Sequence, residues 1–523
     1  MLALAGVFAL LWRRFYRDDP ANAARRVFKN SAVTFTMRIV VKALDMVVFF
    51  ILGGTLAVAT LGDYTFAALI VSQYLAIFTE FGLGVLLTRE AARDPQAARR
   101  LFGVTLGLRL LLIGAVALPV GLLVIGAFAL IGQPLSADGT TVIFVLLLTL
   151  IPSAYSGAVT ALYNAAERME VPAIMELATA VLNFLARIAV IVFGLGILGL
   201  AWSAVLASSA TALAFLLLQR RDFFAPQVAW DRAELRAIMP VALPLMLNTL
   251  LGAVFFRFDV FLVRAFGGDA SATLVGQYNF AYPILGIALI VPPAVTFAVF
   301  PLLARRAGDD RAGVALAQNR TLQILLALAF PLAMGISLLS SELLQLFTRA
   351  KFSEYGPSVT VLAILAWFLP LSFANGLLQY ALIAVNRQAA ITRAFLIGAA
   401  FNLAANLVAV PVASLVLGRP EWGLYAAAVI TVLSELVLFM VFRPLLRAEG
   451  LTPPLLRLSW RPALAALAMG AAMLGVKLLV AGWPGAILAA LVAPLVYAAA
   501  LWAIGGIGAE ERALALRILG RAP

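Results

Sequence analysis

Gly53-Gly54, followed by Leu61-Gly62-Asp63-Tyr64-Thr65-Phe66-Ala67, returns as Gly267-Gly268 followed by Val275-Gly276-Gln277-Tyr278-Asn279-Phe280-Ala281, an offset of 214 residues. Carried upstream without a gap, the offset sets Asp45 on Asp259, each inside an apolar segment. Carried downstream with a slip of two, it sets Leu86-Leu87-Thr88-Arg89 on Leu302-Leu303-Ala304-Arg305. The pattern predicts the first helical hairpins of two homologous membrane halves, with the matched motifs in their outer loops.

With 64% hydrophobic and 12% charged residues, the chain of 523 has too little polar surface for a soluble fold of that size. Its apolar runs repeatedly reach about 20 residues, the length of a helix across a bilayer, and the alternation of membrane strands is absent. The expected fold class is therefore all-α, a polytopic membrane protein. Cys and His are both missing, which removes disulfides, thiolate metal sites and the usual general base. The net charge of +13 would point to nucleic acid if the bases shared one solvated face. Instead, about 28 of the 38 Lys and Arg residues lie in alternate connections, about 3 in the opposite ones and about 7 within spans. That bias is the positive-inside pattern, so both termini are expected in the cytoplasm and no nucleic-acid partner is expected.

In residues 1–30 the apolar run Leu2 to Trp12 precedes Arg13, Arg14 and Arg17, the wrong order for a signal peptide; the segment reads as an interfacial cytoplasmic helix. A first lobe, 31–219, holds spans at about 31–54, 64–88, 101–130, 141–163, 171–195 and 197–219. A basic cytoplasmic linker, 220–237, separates it from a second lobe, 238–443, with spans at about 238–266, 275–304, 321–347, 356–385, 389–417 and 423–442. A cytoplasmic connection, 444–460, leads to two extra spans within 461–507, and 508–523 forms a tail. The expected total is about 14 transmembrane helices, in two six-helix pseudo-symmetric lobes plus two. A second echo, Leu182-Asn183-Phe184 against Phe401-Asn402-Leu403 and Gly199-Leu200 against Gly423-Leu424, supports the duplication. Six spans separate the repeats, so the halves share an orientation about an axis along the membrane normal.

A charge at mid-membrane costs about 2.5–3.5 kcal/mol on insertion scales, so charged spans should turn away from lipid. Arg38, Lys42 and Asp45 project within roughly 60° of one another on a helix, and Lys42 and Asp45 are spaced to pair. They line either a water-filled cavity or an internal ion pair. The repeat predicts that Asp259 faces wherever Asp45 faces. Asn248 shares the face of Asp259, whereas Arg257 and Arg264 fall on the roughly opposite one unless Pro240 and Pro244 distort the helix. Glu80 and Glu435 are acids at depth, each an ion or proton site or half of a structural pair. Arg109 and Arg187 are divided between substrate contact and helix glue, and Arg264 and Lys477 are expected to snorkel. The candidate substrate-binding residues are thus Arg38, Lys42, Asp45, Arg109, Asn248, Arg257 and Asp259; the candidate ion-coupling residues are Asp45, Glu80, Asp259 and Glu435.

Phe256-Arg257-Phe258-Asp259, Gly276-Gln277-Tyr278-Asn279-Phe280-Ala281 and Pro301-Leu302-Leu303 resemble spans 7 and 8 of the polysaccharide transporters in the multidrug/oligosaccharidyl-lipid/polysaccharide exporter superfamily. Phe81-Gly82-Leu83-Gly84 with Thr88-Arg89-Glu90, and Asn402 to Pro411 with Gly423-Leu424-Tyr425-Ala426-Ala427, resemble its spans 2, 11 and 12, so the match runs over most of 31–443. The resemblance implies an alternating-access flippase that moves undecaprenyl-pyrophosphate-linked oligosaccharide from the cytoplasmic to the outer face of a bacterial-type inner membrane. It implies no catalytic residue, no metal and no cofactor beyond Na⁺ or H⁺ as a coupling ion. Its partners would be the lipid-linked substrate, membrane lipid, a polysaccharide polymerase and glycosyltransferases, with the chain itself a monomer. The extra spans are similar to those of the lipid II flippase branch, where they help form a groove for the lipid tail; the sparser intramembrane arginines depart from that branch. On the residues, Arg38 and Lys42, with Arg109 or Arg257, would neutralise a pyrophosphate.

Two other readings compete. A cation-coupled multidrug-type efflux antiporter of the same superfamily usually has twelve spans and an acid-rich cavity. A membrane glycosyltransferase or ligase would need a sizeable outer loop with a catalytic acid or base, whereas the outer loops here are short and hold only isolated acids such as Asp63, Asp138, Asp269, Glu354 and Glu421.

Overall fold

The computed structural model describes residues 23–506, so the expectations for residues 1–22 and for the tail 508–523 lie outside it. The described residues are all helical, with no strand. Thirteen helices are long and apolar enough to cross a membrane. They are α2 (Val58–Arg93), α3 (Ala98–Leu130), α4 (Ala137–Ala165), α5 (Glu170–Val192), α6 (Gly196–Asp222), α7 (Arg232–Arg257), α8 (Gly268–Arg306), α9 (Arg311–Leu338), α10 (Ser340–Ala384), α11 (Gln388–Val416), α12 (Glu421–Ala448), α13 (Leu455–Leu479) and α14 (Gly482–Ala503). The helix before them, α1 (Ala23–Thr55), is long enough, but Arg38, Lys42 and Asp45 interrupt its apolar stretch. The all-α membrane fold is thus as expected, with thirteen membrane-length apolar helices among the described residues against the expected total of about fourteen. One boundary also shifts: α9 ends at Leu338, and the expected end of the ninth span belongs to α10.

The chain forms two compact units, each assembled from separate pieces. The first holds the described residues up to Phe49 with Leu75–Leu122 and Thr141–Met246; the second holds Phe50–Tyr74, Leu123–Thr140 and the chain from Leu247. In the first unit Leu87, Phe102, Leu106, Val159, Leu162 and Phe215 bring α2, α3, α4 and α6 together around a buried core. Asp231 caps α7 by accepting from the amides of Ala233 (2.9 Å) and Glu234 (3.2 Å), and Arg100 on α3 clamps both acids, at 2.5 Å to Asp231 and 2.8 Å to Glu234. Those two backbone donors, then Arg100, hold the Asp231 carboxyl below its ordinary pKa.

In the second unit α13 and α14 dock on α9 through Met334, Met469, Met473 and Ala489. Lys477 does not snorkel. It donates to the carbonyl of Leu338 (2.9 Å) and pairs with Glu342 at 2.6 Å, because the end of α9 offers free carbonyls and the start of α10 an acid. Arg264 likewise turns inward, buried, and meets Asp63 at 3.1 Å.

The repeated motif is not a pair of loops. Gly62 to Ala67 lies within α2 and Val275 to Ala281 within α8, and most of both is buried. The two copies pack on each other inside the second unit. A Cβ at Gly62 would overlap the Ala272 carbonyl and stand 2.9 Å from Gly276 N, and one at Gly276 would overlap the Val58 carbonyl and stand 3.2 Å from Gly62 N. Ala272 is the repeat partner of Val58, so the contact is reciprocal, and small residues are what allow membrane helices this close. Asn279 donates to its own repeat partner, Thr65, at 3.0 Å. Nearby, Lys351 donates to the carbonyl of Thr55 (2.8 Å) and the Tyr355 hydroxyl to that of Gly53 (3.2 Å), satisfying carbonyls at the end of α1.

Candidate functional site

The first unit contains a cavity of about 1130 Å³ between α1, α2, α4, α5 and α6. Its charged lining is Arg38, Asp45, Glu80, Arg89 and Glu176. Thr88, Thr160, Asn164, Thr179, Asn183 and Thr211 supply hydroxyl and amide groups, and Phe215 is the one aromatic side chain. Of the residues singled out in the sequence, the fold therefore brings Arg38, Asp45 and Glu80 to one cavity. Lys42 is exposed, does not line it, and makes no ion pair among the described residues.

The expected Lys42–Asp45 pair does not form. Asp45 faces Arg187 of α5 at 3.6 Å and Arg38 faces Glu176 at 3.7 Å, because a neighbouring helix presents a planar guanidinium or a carboxylate where Lys42 has to bend along its own helix. Arg89 pairs with Glu90 at 2.7 Å, so every arginine around the cavity already has a carboxylate.

Glu80 is held by a break in α2. Phe81 (φ 48°) and Gly82 (φ 72°) are left-handed, the helix restarts at Leu83, and the Gly84 amide donates to Glu80 Oε1 at 2.8 Å, so the carboxylate caps the new helix. Its other oxygen meets Arg109 at 2.8 Å. Arg109 is 1% exposed and also donates to the Ala154 carbonyl at 3.0 Å. Gly84 and Gly157 make the room: a Cβ at Gly157 would stand 2.7 Å from an Arg109 nitrogen, and one at Gly84 2.5 Å from Glu80 Oε1. Arg109 is thus an anchor behind the cavity wall rather than a lining residue, and the face Glu80 turns to the cavity is half exposed.

Asp259 does not share the surroundings of Asp45. It is 1% exposed, in the second unit, where it accepts a short hydrogen bond from Tyr278, one from Thr431 at 3.3 Å and one from the Val260 amide at 2.9 Å, with no ion pair among the described residues. Asp45, in the first unit, is 56% exposed at its side chain. The repeat carries the Tyr278 hydroxyl along, as Tyr64, but not that of Thr431, which in the register of Gly199 and Gly423 corresponds to Ala207. Arg257 also departs from its expected face. Phe258, between the segments ending at Arg257 and starting at Asp259, keeps helical backbone angles (φ −71°, ψ −25°), and the long Arg257 side chain itself reaches Asn279 (2.7 Å) and lies over the Tyr282 ring (4.1 Å to its centre). The Tyr282 hydroxyl donates to that of Tyr278 at 3.2 Å, so Arg257 and Asp259 end on one buried network. Asn248 is exposed and outside it.

Glu435 is buried in the second unit with neutral company, Asn375 and the Ser372 hydroxyl. Asn375 Nδ2 donates to its carboxylate at 2.6 Å and to its carbonyl at 2.8 Å, and no described cation pairs with it. Nothing in the sequence pattern singles out Glu176, Asn164, Thr160, Thr179, Thr211 or Gly157, whereas Gly84, Thr88, Arg89 and Asn183 stand there only as repeat or family markers.

A family model described as polysaccharide biosynthesis protein matches residues 27–306. Among solved structures, the lipid II flippase MurJ in an inward closed conformation is similar with a TM-score of 0.71 at 12% identity, covering 94% of this chain and 100% of that one. A multidrug resistance MATE family transporter of the MOP superfamily, in an inward-facing conformation, is similar at 0.61 and 17% identity over 80% of this chain and 99% of its own. A MOP superfamily transporter from Pyrococcus furiosus, described by the reversed polarity of its binding pocket, follows at 0.56 and 16% over 84% and 98%. No curated protein sequence matches the chain. At these identities the structural likenesses bear on the fold.

Proposed function

Because the chain belongs to the polysaccharide biosynthesis protein family, we propose that it is an alternating-access flippase for undecaprenyl-pyrophosphate-linked oligosaccharide, moving the sugar head from the cytoplasmic to the outer face of an inner membrane, with both termini cytoplasmic. The observation that carries this reading is the lining of the first unit's cavity. Threonine hydroxyls and asparagine amides, with a single aromatic ring, are donors and acceptors matched to sugar hydroxyls rather than to flat apolar amphiphiles. Arg38 and Arg89 supply guanidiniums for a pyrophosphate, which would have to displace Glu176 and Glu90. Coupling to Na⁺ or H⁺ falls to the acids without a cation partner, Asp259 and Glu435, since Asp45 and Glu80 are already paired with Arg187 and Arg109.

One observation favours the antiporter reading: three carboxylates, Asp45, Glu80 and Glu176, face two guanidiniums in the lining. Reconstituted vesicles separate the two. With a fluorescent lipid-linked oligosaccharide, the flippase reading expects translocation that slows on Arg38→Gln and on Asn164→Ala and is indifferent to Lys42→Gln. Vesicles that leave the lipid-linked sugar in place, yet exchange a fluorescent organic cation for H⁺ or Na⁺, would show the antiporter instead.

A further inference from the structure

A second cavity, of about 490 Å³, lies in the second unit between α9, α13 and α14. Its lining divides by chemistry: Ile324, Leu328, Leu458 and Leu501 form an apolar wall, and Arg457, Trp460 and Arg461 form a basic, amphipathic edge with no carboxylate among the lining residues. Arg457 and Arg461 are exposed and four apart on α13, so they share a face. Arg461 donates to the Gly505 carbonyl at 2.8 Å, and its guanidinium lies 5.2 Å from the Trp460 ring centre, which holds it at the rim. Arg457 makes no ion pair among the described residues. The level of the site is set by its neighbours. Arg457 is the third residue of α13, and the apolar stretch of α9 begins just before Gln323, directly after Asn319-Arg320. The arginines therefore stand where hydrocarbon gives way to headgroups, with tryptophan at the depth it favours.

We propose that this cavity binds an anionic phospholipid of the surrounding leaflet, the headgroup phosphate between Arg457 and Arg461 and an acyl chain along Ile324, Leu328 and Leu458. Two guanidiniums without a lining acid select the charge, and the continuous apolar wall selects a lipid over a soluble anion. The site lies in a different unit from the cavity proposed for the sugar and takes a different ligand. Membrane placement is all it borrows from the transport reading, so either can fail without the other.

The test uses the full-length protein in phosphatidylcholine bilayers containing rising fractions of dibrominated phosphatidylglycerol, reading quenching at Trp460 as the difference between wild type and Trp460→Phe. Each arginine near the surface contributes about a five-fold preference. The expected half-quenching fraction is thus roughly 25-fold lower for brominated phosphatidylglycerol than for brominated phosphatidylcholine in the wild type, about five-fold lower in Arg457→Gln, and equal in Arg457→Gln/Arg461→Gln. Arg457→Gln removes no ion pair among the described residues and guards against a folding artefact. Coincident curves for the two lipids in the wild type, or an undiminished preference in the double variant, would overturn the proposal. Reversal of the quenching by millimolar inorganic phosphate would overturn it too, by showing a soluble-anion site.

Discussion

The reciprocal contact of Gly62 and Gly276 makes a prediction that runs against helix propensity. In an isolated helix, alanine for glycine is favourable by about 0.5–1 kcal/mol. At Gly276 the added methyl would overlap the Val58 carbonyl and stand 3.0 Å from Val58 Cγ1, and at Gly62 the obstacle is the Ala272 carbonyl. The two carbonyls are backbone groups, so relief requires α2 and α8 to separate, by on the order of 1 Å to restore ordinary carbon contacts. Separation loosens the Thr65–Asn279 hydrogen bond, now 3.0 Å and worth about 1 kcal/mol. Overpacking of this kind costs about 1–3 kcal/mol. After the propensity gain, each of Gly62→Ala and Gly276→Ala should destabilise by about 1–2 kcal/mol. Once the first methyl has opened the crossing, the second meets less resistance, so the double variant should fall short of the sum by at least about 0.5 kcal/mol. Denaturation of the purified protein gives the three values. An independent reporter comes from the absence of cysteine: Ser271→Cys, at a buried position, should alkylate faster in either alanine background. Alanine variants as stable as wild type or more so, with unchanged labelling of Ser271→Cys, would refute the close crossing.

Glu80→Gln should cost about 2 kcal/mol in denaturation, less than a fully enclosed pair because Glu80 is 48% exposed, and Arg109→Met in the same chain should recover most of it by removing the stranded guanidinium. Tyr278→Phe strips the closest partner from buried Asp259 and should destabilise by about 1–3 kcal/mol, whereas Thr431→Ala, acting on a 3.3 Å contact, should cost less; equal losses would show that Tyr278 is not the principal donor. Since the folded-state pKa of Asp231 is depressed, its charge contributes stability that is complete above the ordinary carboxylate range and fades as pH falls through the depressed value. The gap in melting temperature between wild type and Asp231→Asn should therefore close on acidification, and a gap independent of pH would mean that only the hydrogen bonds matter.

Hydropathy made the helices and the duplication legible because both are coarse periodic properties that local detail barely disturbs. The 214-residue register even survives to atomic contacts, with Asn279 on Thr65 and Gly276 against Gly62. What it could not disclose was that the markers are the crossing itself. Glycines near an expected turn look the same in sequence whether they turn the chain or let two helices touch. Residue directions failed for a related reason. An angle counted at 100° per residue assumes an unbroken α-helix, but α2 contains a π-helical stretch, Leu69–Leu75, and a left-handed break at Phe81–Gly82. Each irregularity rotates everything beyond it; Arg257 instead joins the network of Asp259 by the reach of its side chain over Tyr282, whose hydroxyl donates to Tyr278.

The divergence of Asp45 and Asp259 carries the functional consequence. Two acids at equivalent positions of a duplicated chain have opposite fates, set by residues far away in sequence. Asp45 meets Arg187 and stays open to a cavity, while Asp259 receives Tyr278 and Thr431 and is closed off. A paired, accessible carboxylate can exchange its arginine for a ligand at little desolvation cost. An enclosed carboxylate with only neutral donors responds chiefly to a proton or a small cation. Duplication supplied the same acid twice, and loss of symmetry around it, through changes such as Ala207 against Thr431, leaves one carboxylate paired and open and the other enclosed among hydroxyls; under the transport function proposed above, the first would meet substrate and the second the driving ion.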